Sequence, residues 1–312
     1  MSVLTFGETM ALLRPTGTGP LAHTTTMHLG IGGAESNVAV ALRRLGAEVT
    51  WVGRVGDDSF GDLVERELRA EDLRPHVVRD HDAPTGLMVK ERRTASATRV
   101  WYYRDGSAGS RFAIGDVPET LWDTVTLLHV TGITPALSDS AAKATVHYVE
   151  HAKGLGITVS FDVNHRHSLW SADEARPTYR VLVALADVVF AGADEAAIVV
   201  GSGTPAQLAV GLCAMGPAEA VVKLGADGAL AVVDGVEYRQ PAVPVSVIDT
   251  VGAGDGFVAG YLADRLAGCD IQQRLRTATA VGALACTVDG DWEGMPRRDE
   301  LDLLTTSEPV AR

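Results

Sequence analysis

Three shortages bound what this chain does. Cysteine is scarce: Cys213, Cys269 and Cys286 are widely spaced, odd in number and without metal-type spacing. That pattern argues against a disulfide framework and a cysteine metal site, and it predicts reduced, mostly buried thiols in a cytoplasmic protein. Basic side chains are also scarce, with 27 Lys and Arg against 40 Asp and Glu and a net charge of −13. Nucleic acid or an anionic membrane would need clustered cations, and the short pairs Arg92-Arg93 and Arg297-Arg298 read as solvated loop positions; neither partner is expected. Long apolar runs are missing, none reaching the ~18 residues of a spanning helix, so no membrane span is expected. The first residues enter a strand-like run, Val3-Leu4-Thr5-Phe6, with no charged leader and no signal-type apolar core, which again predicts a cytoplasmic location.

What remains is the composition of a globular protein, 46% hydrophobic and 21% charged. We read residues 1–312 as one α/β domain. From about residue 120, short apolar strands alternate with helical stretches. Leu127–Val130, Thr158–Phe161 (ending at Asp162), Val188–Phe190 and Ala220–Lys223 read as strands; Ser138–Leu155, Arg176–Leu185 and Pro205–Met215 read as helices. That alternation predicts a doubly wound, mostly parallel sheet with helices on both faces. The first third differs. Two β-rich excursions, at about 8–33 and 85–113, flank a helical stretch from Asn37 to Leu45 with Gly46 at its C-terminus, and together they are expected to form a small β lid.

The densest functional signal is Asp249-Thr250-Val251-Gly252-Ala253-Gly254-Asp255-Gly256. The β-branched run Val245–Ile248 reads as a strand feeding a Gly-rich turn, and an apolar helical segment follows. Backbone N–H groups of such a turn, at a helix N-terminus, form an anion site. Asp255 would sit in the first helical turn, where the dipole favours the carboxylate and orientation of a hydroxyl matters more than basicity. An isolated Gly-x-Gly-Asp is more often a plain helix cap; the eight-residue context is what favours chemistry. No Gly-x-x-x-x-Gly-Lys-Ser/Thr loop occurs, which removes the commonest alternative phosphate cradle.

The second signal is Gly32-Gly33-Ala34-Glu35-Ser36-Asn37, followed by Gly53 to Gly61, which reads as a strand end, a tight turn and a helix start. Two glycines before a helix bring backbone close to a ligand, and Asn37 is suited to hydrogen-bond sugar hydroxyls. Together, 32–61 and 249–262 resemble the paired signatures of the PfkB-type (ribokinase-like) carbohydrate kinases, over essentially residues 1–300. The resemblance implies ATP-dependent phosphorylation of a sugar hydroxyl, with Asp255 as catalytic base and Gly252, Ala253 and Gly254 as anion hole. It implies Mg2+ and allows a monovalent cation. Lys223, Gly225 and Gly228 are similar to the family's Lys-x-Gly-x-x-Gly segment near ATP, although a simple hairpin turn reads equally well. Relatives often carry Asn-x-x-Glu where this chain has Gly192-Ala193-Asp194-Glu195; Glu195 remains as a water-mediated metal contact.

Within the family the details are most similar to the 2-keto-3-deoxygluconate kinases. The supporting segments are Gly33-Ala34-Glu35, Trp101 to Ala108, and Asp162-Val163-Asn164-His165-Arg166. Tyr102 and Arg104, two apart on a strand, face the same side, and Arg166 follows a strand end. Two guanidiniums over a sugar pocket suit a carboxylate. The alternatives place Arg104 on an exposed face and pair Arg166 with Asp162 or phosphate. Met88 takes a lid position where some relatives place an aromatic, and Glu8 lies in a family region near the substrate. The rival functions are a fructokinase or ribokinase-type kinase of a neutral sugar or nucleoside, and a non-catalytic sugar-binding protein, against which the intact Asp255 turn argues. A homodimer through the lid, or a higher assembly, is expected.

Overall fold

The computed structural model describes residues 2–94 and 97–304; residues 95 and 96, within the second β-rich excursion, and 305–312 lie outside the described residues. In chain order the elements are β1 (Ser2–Phe6), β2 (Met10–Pro15), β3 (Met27–Gly32), α1 (Ala34–Arg44), β4 (Glu48–Gly56), α2 (Ser59–Ala70), β5 (Arg74–Asp80), β6 (Leu87–Thr94) and β7 (Ala97–Tyr103). Then come β8 (Val125–Thr131), α3 (Asp139–Gly154), β9 (Thr158–Asp162), α4 (Ala172–Leu185), β10 (Val188–Gly192), α5 (Ala193–Val200) and α6 (Pro205–Cys213). The chain closes with β11 (Glu219–Lys223), β12 (Ala229–Val233), β13 (Val236–Gln240), α7 (Ala253–Leu266) and α8 (Ile271–Ala285).

Nine strands form one sheet in the order β13-β12-β11-β10-β9-β8-β1-β4-β5, parallel except for the antiparallel β11–β12 and β12–β13 pairs. The strands are nearly all apolar because helices cover both faces. On one face α1, α2, α7 and α8 cover Trp51 and Phe190, with Tyr261 contributed by α7; on the other, α3 to α6 cover Phe6 and Phe161, with Tyr179 contributed by α4. Helix starts follow capping chemistry: Ser138, Thr204 and Asp270 each accept a backbone N–H, and Ser171 forms a capping box with Glu174. Among the described residues no single helix is long and apolar enough to cross a membrane.

A second sheet, β3-β2-β6-β7, rises from the two β-rich excursions and stands over the C-terminal edge of the large one. Its inner face carries Met10, Leu12 and Met88; residues 104–113 have already returned to the main body, where Phe112 stacks on Phe6 at 5.1 Å.

One expected strand is absent. Val245–Ile248 lies in a segment, 241–252, with no strand or helix, and Val247 and Ile248 are exposed. Pro241 and Pro244 withhold two ladder donors, and Ile248 N–H donates instead to Cys286 O at 2.8 Å. The β-branched residues wall a cavity rather than extend the sheet.

The smaller sheet is fastened where β6 begins. Asp58 caps α2 by accepting from Gly61 N–H at 2.8 Å, and it also accepts from the Thr85 N–H and hydroxyl, each at 2.8 Å. Although its partial burial disfavours the anion, these bonds hold Asp58 below the usual carboxylate range. Asp58→Ala is therefore expected to cost about 1–2 kcal/mol of stability in urea unfolding; an unchanged midpoint would contradict the fastening role.

Candidate active site

Helix α7 begins immediately after Gly252, whose φ is +77° and where an added Cβ would lie 1.8 Å from the Asp291 carbonyl oxygen. Only glycine fits there. The Ala253 N–H donates to Thr250 O at 3.3 Å, closing the turn. Asp255 follows in the first helical turn and is buried. Its Oδ2 accepts from Asn37 Nδ2 at 2.8 Å and its Oδ1 from Asn164 Nδ2 at 3.4 Å. Asn37 comes from the first turn of α1; Asn164 follows β9 in a left-handed conformation, φ +37°. The two amides, 127 residues apart in sequence, hold one carboxylate at the sheet edge.

The helix dipole does not dominate Asp255, contrary to the sequence-based expectation of a depressed pKa. Burial pushes it up to about 7, against the lowering influence of the Asn37 bond, Arg166 and Lys223. A carboxyl poised near neutrality suits general-base work far better than an ordinary exposed aspartate.

Asp255 opens into a cavity of about 510 Å3 walled by Gly33, Ala34 and Asn37, by Tyr102 and Arg104 from the smaller sheet, and by Arg166. Beyond Gly254 lies a second, more apolar cavity of about 660 Å3, with Gly225 and Gly228 on one side and Val243, Val247 and Phe257 on others. Lys223, Thr250 and Gly254 border both, so the turn separates two neighbouring chambers. At Gly228, φ +96°, an added Cβ would lie 2.0 Å from Gln240 O, whereas one at Gly225 would meet open space.

The two guanidiniums differ. Arg104 is bound to the buried Glu8 carboxylate, at 2.7 Å through Nε and 2.6 Å through the terminal nitrogen, and lies 5.6 Å from the Tyr102 ring centroid. Glu8 accepts from the Ser107 hydroxyl as well. Arg166 has no ion pair among the described residues, only a long bond, 3.4 Å, to His165 O. Among the described residues lining this cavity it is the one Lys or Arg without a carboxylate partner, Lys90, Arg104 and Lys223 each having one. Asp162, a candidate partner for Arg166, is instead bound by Lys223 at 2.7 and 2.8 Å.

A model of the pfkB family carbohydrate kinases matches residues 1–298. The chain belongs to this kinase family. It is 36% identical to a 2-dehydro-3-deoxygluconokinase of Bacillus subtilis (strain 168), covering 96% of this chain and 94% of the relative. It is 34% identical to a 2-dehydro-3-deoxygalactonokinase of Haloferax volcanii, covering 93% and 92%. A double mutant of a Vibrio cholerae O395 fructokinase, solved with fructose, ADP and potassium bound, superposes with a TM-score of 0.87 at 28% identity, over 97% of both chains.

In this pfkB-family chain Glu195 is already committed: Oε1 accepts from His165 N–H at 2.9 Å and Oε2 from Gly192 N–H at 2.6 Å. Among the described residues no group of three or more His, Cys, Asp or Glu is arranged to hold a metal ion. Glu195 lines the cavity, so a Mg2+ brought there would be carried by phosphates and water with Glu195 as an outer neighbour.

The sequence singled out Lys223 near the nucleotide and Asp162 and Asn164 within a family segment, but not the hold of Asn164 on Asp255, the pairing of Asp162 with Lys223, or Lys90. Asp162 and Lys223 had a usable signal, since each ends a buried strand, β9 or β11, at the ligand edge of a parallel sheet, and Asn164 follows β9 by two residues. Lys90, buried under the smaller sheet, had none, because its partners lie 159 or more residues away.

Because Asp255 has a higher pKa folded than unfolded, its contribution to stability is fully present below about pH 4 and is lost as pH rises through about 7. Asp255→Asn is expected to remove that loss, becoming more stable than the wild type at alkaline pH in urea titrations, while kcat falls by about 10²–10⁴-fold. Equal stability profiles, or retained turnover, would contradict the assignment.

Proposed function

We propose that this kinase transfers the γ-phosphoryl group of ATP to the C6 hydroxyl of 2-keto-3-deoxygluconate (2-dehydro-3-deoxygluconate), giving the 6-phosphate. The observation that carries the reading is the unpaired guanidinium of Arg166 in the same polar cavity as the buried Asp255. A sugar acid offers a carboxylate to the first and a hydroxyl to the second, and the similarity to the B. subtilis kinase supports that substrate class. Gly33, Ala34, Asn37 and Tyr102 shape the sugar cavity, and Arg104, neutralised by Glu8, orients the Tyr102 ring within it.

Asp255 accepts the hydroxyl proton as the sugar oxygen bonds to the γ-phosphorus and the bond to the ADP oxygen breaks. The first-turn N–H groups of α7 at Gly252–Gly254 face the transferring charge, worth most where water is excluded. Lys223, Gly225 and Gly228 border the nucleotide chamber, whose apolar walls suit an adenine ring. Mg2+ neutralises the triphosphate when bound.

The test is ADP release across 2-keto-3-deoxygluconate, its C4 epimer 2-keto-3-deoxygalactonate, fructose and ribose. Sugar acids should be preferred by kcat/KM, and equal turnover of fructose or ribose would overturn the assignment. Arg166→Ala should raise KM for the sugar acid by about 10–100-fold, with little effect on any residual neutral-sugar KM. Parallel losses for both classes would place Arg166 on the phosphate instead.

We also propose that the enzyme works in the cytoplasm, supported by three free thiols, as a homodimer through the smaller sheet. Leu29, Trp101 and Tyr103 are 53%, 42% and 64% exposed there, and Trp101 and Tyr103 share one face of β7. Sedimentation should give a dimer that Tyr103→Glu dissociates; a monomeric wild type at micromolar concentration would refute this.

A further inference from the structure

Lys90 is a buried lysine, its side chain 4% exposed, projecting from β6 of the smaller sheet into the wall of the Asp255 cavity, beside the phosphate turn. Its ammonium donates to Asp249 Oδ2 at 3.0 Å and to Gly290 O at 3.2 Å, and it pairs with the Asp291 carboxylate, Oδ1 lying 2.7 Å away. Burial alone would discharge the lysine, but Asp291 and Asp249 overcome that and hold its pKa above the ordinary value. The surrounding charges are paired elsewhere, Arg92 with Asp289 at 3.1 Å and Arg14 with Glu293 at 3.0 Å. Burial pushes the Asp291 carboxyl up, and the Lys90 ammonium opposes that rise, so the cation and the carboxylates stabilise one another's charged forms.

The cage is joined to the turn on both sides. Asp249 Oδ1 accepts from Val251 N–H at 3.1 Å, shaping the backbone that leads into Gly252. Asp291 supplies the carbonyl against which Gly252 is packed so closely that no Cβ fits. A cation at this point therefore fixes the approach to the anion turn and the wall behind it. Carbonyl and carboxylate oxygens around a single positive charge are equally what a free K+ or NH4+ ion would use, yet the chain has filled the position from its own sheet.

We infer that Lys90 is a positioning residue whose tethered ammonium replaces a free monovalent cation beside the Gly252–Gly254 turn, so that turnover needs no added K+ or NH4+. The inference rests on the proposed kinase reading of that turn, and it departs from the monovalent-cation requirement that the family resemblance allows.

The test compares wild type and Lys90→Ala in potassium, ammonium and tetramethylammonium chloride at matched ionic strength, following kcat, sugar KM and thermal midpoint. Wild-type kcat should differ by less than about twofold among the three salts. Lys90→Ala should lose about 10–100-fold in kcat in tetramethylammonium, with sugar KM nearly unchanged, and K+ or NH4+ should restore most of it. Its thermal midpoint should rise with K+ or NH4+ and not with tetramethylammonium. Lys90→Arg should lose less and respond less to salt. Severalfold activation of the wild type by K+ would overturn the inference without any variant. So would a folded Lys90→Ala with wild-type kcat in tetramethylammonium, or one whose kcat and midpoint ignore K+ and NH4+, leaving Lys90 a plain ion pair. A wild type that phosphorylates no sugar would overturn the kinase reading, and the thermal measurements alone would then decide whether Lys90 replaces an ion.

Discussion

A carboxylate shut away from water at the start of α7 is expensive to ionise, and the site is arranged around making that ionisation available. Asn37 and Asn164 supply two amide donors to Asp255, and Arg166 and Lys223 supply positive charge nearby. Desolvation still exceeds their combined effect, which leaves the group near neutrality rather than at the acid end of the scale. That balance distinguishes a proton acceptor from a helix cap with the same sequence.

The same need for buried positive charge recurs on either side. Lys223 answers Asp162 where β9 and β11 end, and Lys90 answers Asp249 and Asp291 beside the turn. Each pair joins segments far apart in the chain, so each ties a functional loop to the sheet. Buried ion pairs of this kind add little net stability compared with apolar packing, but removing one partner is costly, so they fix geometry. The smaller sheet takes part directly: Arg104, Tyr102 and Lys90 all line the Asp255 cavity, with Lys90 also reaching Asp249. Burying those contacts joins the sheet's position to the shape of the turn.

Much of this was legible in the sequence because it is local. Apolar strand runs marked β8 to β11, the stretches between them marked α3, α4 and α6 though not α5, and Gly252 to Asp255 marked the turn. The reading failed where tertiary context decides. Val245–Ile248 has strand propensity, but prolines on its N-terminal side and a carbonyl on Cys286 claimed the backbone for a cavity wall. A helix-dipole argument for Asp255 is sound for an exposed first turn and reverses once burial strips the carboxyl of water, even against the lowering influence of the Asn37 bond. Glu8 lies in a family region near the substrate, but its partner was not legible, and nothing marked Lys90. Their partners, Arg104 and Asp249, lie 96 and 159 residues away, and no spacing rule connects them.

The central claim is that Asp255, poised near neutrality by burial, takes the proton from a sugar-acid hydroxyl. The pH dependence of kcat/KM for 2-keto-3-deoxygluconate tests it most directly. The account predicts one ionisation near pH 7, with activity falling as pH drops through it, and no such limb in the residual activity of Asp255→Asn. A wild-type profile that stays flat to about pH 5, where an ordinary carboxylate is still ionised, would contradict it.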